Sequence, residues 1–469
     1  MRMACICVIG GGSTGWTLGL VKDLMYVFNE PLEVRLHDIN MKAVKEKTLP
    51  LLELAARKLK RKKDRIMAAP DRKKALRGVD AVVITISTGG LASMENDLII
   101  PEKYGIRATV GDTAGPGGWS RAIRNIPVFQ QFALDFADIC PTAFIANYTN
   151  PMAALTATLQ LECPNPSVGL CHAYFETKDV IQKMFGLADW SPISIAIAGM
   201  NHFTWITDFK IGRENGYPLL RKKLNGRSLS VLLPEESADE IGMYSGHNLF
   251  VELYDAFGYL PYPADRHTSE FVSFTLSGNP LHSSITDKHF PKLKTEMLDY
   301  CKLRRTSIEW RRCNYAGYDD QIAGMLSGKV KMHLPRSRET GADMIRAYLC
   351  NKPFTDAVNC LNRGQIAGLP EGACVETLGC VDGLGVRPLV VDNVPTPLLE
   401  LIRPIAVCQK WITEGMLRCD REMLVQALYR DPACAMLKPG EVRNMAEELF
   451  AANAPYLPPA LRPKSRKTK

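Results

Sequence analysis

Cys171 and His172 stand side by side after the apolar run Val168-Gly169-Leu170, and a second imidazole, His202, follows one predicted strand later in Gly199-Met200-Asn201-His202-Phe203-Thr204-Trp205. A thiolate and an imidazole that converge can hold a transition metal while leaving coordination positions open to a substrate. Taken singly, a thiol in an apolar run is more often a small buried hydrophobe, and a lone His a satisfied core residue. The metal reading therefore depends on the surrounding elements. If the two runs are neighbouring strands of one sheet, Cys171 and His202 both lie near carboxyl ends, where open α/β sheets bind their ligands.

The elements upstream have the rhythm such a sheet requires. Ala4 to Ile9 is a continuous apolar run, as expected of a strand buried on both faces, and Gly10-Gly11-Gly12-Ser13-Thr14-Gly15 follows at once. Glycines at this place allow a tight turn and close approach of backbone to a pyrophosphate, and the helix expected behind them offers unpaired amides and a positive dipole end. A second strand, Leu32 to Leu36, ends in His37-Asp38, about twenty residues past the last of these glycines. Asp38 is thus placed to take a ribose diol, which assigns Gly10, Gly11, Gly12, Ser13, Thr14 and Asp38 to a dinucleotide and favours NAD over its 2′-phosphorylated relative. Met41 to Leu59 reads as one long helix and Asp80 to Ser87 as another buried strand. Gly111 to Trp119 is too rich in glycine to lie inside an element and reads as a loop lining the cofactor crevice, with a helix from Ser120 to Phe136. Thr142 to Ala146 reads as a strand ending in Asn147-Tyr148-Thr149-Asn150-Pro151, with Pro151 opening a helix. Pro166 to Leu170 and Ile193 to Ala198 complete the set that carries Cys171 and His202.

With 469 residues, 46% of them hydrophobic and 23% charged, the chain has the composition of a globular enzyme of two or three domains. The formal charge of +8 is gathered partly in Arg57 to Arg65 and Arg462 to Lys469, without interleaved aromatic residues, which excludes a nucleic-acid groove as the reading of choice. The fourteen Cys are scattered, without the spacings of a disulfide scaffold or zinc finger, and fit a reducing, cytoplasmic compartment. The apolar amino terminus stops at glycines and reads as a first strand rather than a signal peptide. No apolar run reaches the roughly 18 residues of a membrane span.

The chain resembles glycoside hydrolase family 4, the NAD-dependent glycosidases that depart from two-carboxylate hydrolysis. The resemblance runs through Gly10 to Thr14, Ile100-Pro101-Glu102-Lys103-Tyr104-Gly105, Gly115-Pro116-Gly117-Gly118, Asn147 to Pro151, Gly169-Leu170-Cys171-His172 and Asn201 to Trp205, then Asp265-Arg266-His267 with Glu270-Phe271, and Leu369-Pro370 with Glu376. It implies a Rossmann-type doubly wound parallel sheet, with a second, mixed α+β domain completing the active site. Cys171 and His202 are similar to the family's divalent-metal pair, usually manganese. Asn150 is similar to a substrate-orienting side chain, and His172 falls at the general acid. Asp112 and Arg266 count with the substrate-binding residues, and Asp265 or His267 as the source of a base. Met94 occupies the position of the arginine that grips phosphate in the phospho-sugar branch, and Cys-His resembles the branch acting on unphosphorylated α-galactosides, α-glucosides and α-hexuronides.

After Asp208 the strand and helix alternation gives way to longer helical patterns. The expected organisation is a nucleotide domain over 1–200, a substrate and oligomerisation domain over 201–455, and a basic, disordered tail over 456–469. The implied partner is a small glycoside, and the implied assembly a homodimer or homotetramer. The implied reaction removes hydride from C3 to NAD, acidifies C2 next to a metal-polarised ketone, eliminates the glycosidic oxygen, adds water and returns the hydride. Two alternatives share the nucleotide half: a hydroxy-acid or sugar dehydrogenase, and an inactive NAD-binding sensor.

Overall fold

The structure is a computed structural model that describes residues 3–463 apart from 172, 236–245, 277, 287–289 and 291–292. In its amino-terminal half the strands are β1 (Ala4–Ile9), β2 (Leu32–His37), β3 (Arg65–Ala68), β4 (Ala81–Ile84), β5 (Phe144–Asn147), β6 (Ser167–Gly169), β7 (Ile193–Met200), β8 (Phe203–Ile211) and β9 (Glu214–Asn215). A separate three-stranded sheet is made of β10 (Leu281–Thr286), β11 (Lys294–Leu298) and β12 (Leu303–Arg304), and the chain returns to the main sheet with β13 (Phe354–Leu361), β14 (Cys374–Asp382) and β15 (Gly385–Pro388). Strands β3-β2-β1-β4-β5-β6 run parallel, the doubly wound order expected of a dinucleotide fold.

Alternation along each central strand explains why both faces are covered. Cys7 and Ile9 of β1 point into a core shared with Trp119, Phe129 and Phe136, while Ile6 and Val8 point into another shared with Leu20, Val21 and Leu24. The first face is covered by the long helix α2 (Gly115–Ile139) and the second by α1 (Thr17–Val27). Three further helices matter for the site: α3 (Ala173–Phe185), α4 (Asn248–Phe257) and α5 (Thr396–Leu417).

The neighbour relation expected for the Cys171 and His202 strands does not hold. Beyond β6 the order continues β13-β14-β7-β8-β9, and each of the steps β6 to β13, β13 to β14 and β14 to β7 is antiparallel. Two strands from the carboxyl-terminal half thus separate the strands that precede Cys171 and His202, and β7 runs opposite to β6. Local periodicity cannot reveal this, because a strand inserted from some two hundred residues away leaves no mark on either run. Smaller differences concern element ends. Helix α2 starts at Gly115 rather than Ser120, since Pro116 in its first turn has the fixed φ a helix needs and no amide to leave unpaired. Met41 to Lys58 is helical with a π-helical turn at Val44–Thr48, and α5 continues through Pro404. Of the tail, residues 456–463 are packed, with Leu457 and Leu461 buried in the core, and 464–469 lie outside the described residues.

Candidate active site

At the carboxyl end of β1 the chain turns sharply. Gly10 has φ +93°, and a Cβ there would lie 1.9 Å from the Thr85 carbonyl oxygen, so only glycine lets β1 and β4 close together at this edge. Gly10 N and Gly11 N both donate to the His37 carbonyl at 2.9 Å, and Ser13 N donates back to the Gly10 carbonyl at 2.9 Å. The Asp38 carboxylate accepts from Gly12 N at 2.9 Å and from Asn40 N at 2.8 Å, which brings the acid directly beside the glycine turn. Ser13 and Thr14 lie half-buried in the turn, and α1 begins only at Thr17. The cradle suits a dinucleotide: backbone is bare where a pyrophosphate would approach, and the carboxylate stands where a ribose diol would bind.

Hydrogen bonds carry this edge across to the next strands. Ile86 N, just past β4, donates to Thr149 Oγ1 at 3.0 Å, and Arg121 Nε of α2 donates to the Asn150 carbonyl at 2.9 Å. The Asn150 Oδ1 is buried with no hydrogen-bond partner among the described residues, as expected of an atom kept for a ligand.

Asp112, His202 and His267 form one group, with a ligand atom of each within 4.8 Å of the others. His202 occupies the two-residue turn between β7 and β8 with φ +66°, a left-handed conformation uncommon for a non-glycine residue, and it is buried. Its ring lies 4.1 Å from that of His267 and stacks on Tyr262 at 5.9 Å and 9°. Burial acts to raise the Asp112 carboxyl, but Arg121, then His202 and Arg311, outweigh it and hold the group below the usual carboxylate range. Oxygen and imidazole donors this close suit a divalent transition ion. Cys171 is not in the group of three. It is half-buried against Tyr262, the ring that stacks on His202.

His172 lies outside the described residues. Asp265 has a different occupation from the base expected of it: its two carboxylate oxygens accept from Leu249 N at 2.8 Å and Phe250 N at 2.9 Å, at the start of α4. An acid whose two oxygens are held by two amides at a helix start serves as a cap. Arg266 is buried and donates from Nη1 to Thr306 Oγ1 at 2.5 Å.

Several residues to which sequence reading assigns no role complete the site. Glu270, 1% exposed, accepts through Oε1 from Val110 N and Gly111 N at 2.7 Å each and from Thr109 Oγ1 at 3.2 Å, and so clamps the segment leading into Asp112. Burial pushes its carboxyl up to about 7 in spite of those amides. Thr113, Arg121, Tyr262 and Gln409 have no signature beyond polarity near a motif. Gln409 in particular reaches the site from α5, nearly three hundred residues after the loop it touches.

Comparison with known proteins shows what the whole chain is similar to. The family model described as "Family 4 glycosyl hydrolase" matches residues 5–187, and that described as "Family 4 glycosyl hydrolase C-terminal domain" matches 197–434. An α-galacturonidase of Thermoanaerobacter italicus is 30% identical over 459 residues, covering 96% of this chain and 97% of that protein. An α-galactosidase of Bacillus subtilis is 31% identical over 465 residues, covering 97% and 99%. The crystal structure of the lplD protein from Bacillus subtilis superposes with a TM-score of 0.81 at 27% identity, covering 95% of this chain and 99% of that one.

Proposed function

The chain belongs to family 4 of the glycosyl hydrolases, and from that premise we propose that it hydrolyses an unphosphorylated α-glycoside, an α-galactoside, α-glucoside or α-hexuronide, with NAD and a divalent metal such as Mn²⁺. The observation that carries the reading is the group of Asp112, His202 and His267 within 4.8 Å, tied through Arg121, which acts on Asp112 and bonds the Asn150 carbonyl, to the chain just past β5. The nucleotide turn would serve a dehydrogenase equally, and the donor set beside it is what an elimination next to a polarised carbonyl calls for. The names of the relatives, α-galacturonidase and α-galactosidase, support an α-linked substrate.

When bound, the two groups supply reversible hydride removal at a ring carbon and Lewis acidity at the resulting carbonyl. The chain's own residues then have separate tasks. The glycine turn and Asp38 hold the dinucleotide. His202 and Cys171 would hold the metal, with Asp112 completing its shell and His267 beside it, outside the shell. Asn150 Oδ1 orients a sugar hydroxyl, and Arg121 fixes the Asn150 main chain through its carbonyl. The acid is assigned to His172 by the resemblance. For the base, His267 is favoured over Asp265, because Asp265 is engaged at the start of α4.

The test is a panel of 4-nitrophenyl α- and β-glycosides, hexuronides included, with Mn²⁺ and a thiol reductant. Dialysed protein should lose turnover on an α-glycoside and regain it with catalytic amounts of NAD⁺, with no NADH accumulating. Full turnover without cofactor would overturn the reading. Stoichiometric NADH release would replace it with a dehydrogenase, and binding without turnover with a sensor.

A further inference from the structure

Thr113 lies between the two kinds of donor in the metal group. Its Oγ1 is 2.7 Å from Asp112 Oδ1 and 3.1 Å from His202 Nδ1, and the residue is 3% exposed. A hydroxyl has one hydrogen to give and two lone pairs to offer. A carboxylate oxygen accepts in its contact with a hydroxyl, and Asp112 Oδ1 is the nearer of the two partners. The hydroxyl hydrogen therefore goes to Asp112. The contact with His202 then has to run the other way, from ring N–H to hydroxyl oxygen. Nδ1 carries the proton, and the lone pair of the neutral imidazole is on Nε2.

We propose that Thr113 is a positioning residue that fixes His202 as the Nδ1–H tautomer and so makes Nε2 the metal-binding atom; this rests on the metal-dependent reading above. The main chain around Thr113 is itself fixed. Gln409 Nε2 of α5 donates to the Thr113 carbonyl at 3.0 Å, and a Cβ on Gly118 would come within 2.4 Å of the Thr113 carbonyl carbon, so the first turn of α2 packs directly on it. The imidazole has little freedom to rotate away, being stacked on Tyr262 and packed against the His267 ring at 4.1 Å. An outer partner of this kind sets which nitrogen is available and orients the ring before the ion arrives.

The test starts from metal-free protein carrying ¹³C,¹⁵N-histidine, with the His202 signals identified by their loss in His202→Asn. Wild type at neutral pH should show the Nδ1–H tautomer. Thr113→Ala should give a mixture of tautomers and bind Mn²⁺ about 10- to 100-fold more weakly by calorimetry or by electron paramagnetic resonance of the free ion. Thr113→Ser, which keeps the hydroxyl, should restore both. Turnover of Thr113→Ala should recover in excess Mn²⁺, a response that a misfolded protein would not give. An Nε2–H tautomer or an imidazolium in wild type would overturn the proposal whether or not the variants fold, as would Thr113→Ala with unchanged tautomer and Mn²⁺ affinity. Failure of wild type to bind Mn²⁺ would instead sink the metal-dependent reading, while the tautomer measurement would still stand by itself.

Discussion

Cys171→Ser exchanges a soft thiolate for a neutral hydroxyl that binds transition metals poorly, and His202→Ala removes an imidazole altogether. Cys171 is half-buried beside Tyr262, and His202 is buried in a strained turn. Both variants should stay folded, bind NAD⁺ and lose bound manganese and turnover. A purely structural thiol would give the reverse. Burying a hydroxyl in its place would cost on the order of 1 kcal/mol of stability, with activity surviving in the folded fraction. Thermal unfolding, metal content and turnover measured on the same preparations separate the two. A Cys171→Ser enzyme with full metal content and activity would end the role assigned to the sulfur. His202→Ala keeps a Cβ at φ +66° and so leaves the backbone strain as it is, while it removes a buried ring packed against Tyr262 and His267.

Between elements, the most consequential contact is the clamp by which Glu270 holds residues 109–111. One carboxylate oxygen receives both amides, and the other is buried with no hydrogen-bond partner among the described residues. The Glu270 carboxyl titrates near 7 in the folded protein against 4.5 ordinarily, chiefly through burial. A raised carboxyl means that the native state holds its proton longer than the unfolded chain does. The associated stability is therefore present below about pH 4.5 and is lost as pH rises to about 7. Glu270→Gln keeps the accepting oxygen and removes the titration. Its stability advantage over wild type, read as a higher unfolding temperature, should be near zero in acid, grow between pH 5 and 7 and then level off at on the order of 3 kcal/mol. Scanning fluorimetry across this range checks it, and a difference that stays flat or shrinks with pH would show that the clamp does not bury an ionised group.

For the whole molecule, the order β6-β13-β14-β7 decides how the two halves behave. The edge of the parallel strands is closed by strands from beyond residue 350, and β7, paired with β8 on one side, pairs on the other with one of these through Glu376↔Gly199 and Thr377↔Ala198. Helix α5 and the helix Pro439–Asn453 pack into the same core as β1 and β4. Calorimetry should accordingly show one cooperative transition, and NAD⁺ should raise it as a unit. Two separated transitions, with only one moved by NAD⁺, would show that the halves unfold independently.

What sequence alone determined are the features written in short stretches of chain. The apolar run Ala4 to Ile9, the glycine turn and Asp38 made the dinucleotide half legible, because strand periodicity, positive-φ turns and a strand-end carboxylate are local requirements, and the motifs spread from Gly10 to Glu376 were enough to place the chain in its family. Tertiary structure decided the rest. It put His267 against His202, turned Asp265 into a cap for α4, and brought Thr113, Glu270 and Gln409 into contact with the site. It also placed β13 and β14 between the strands that precede Cys171 and His202. These are relations between residues tens to hundreds of positions apart, set by which sheet edge and which helix face happen to meet, and no spacing within a single element encodes them.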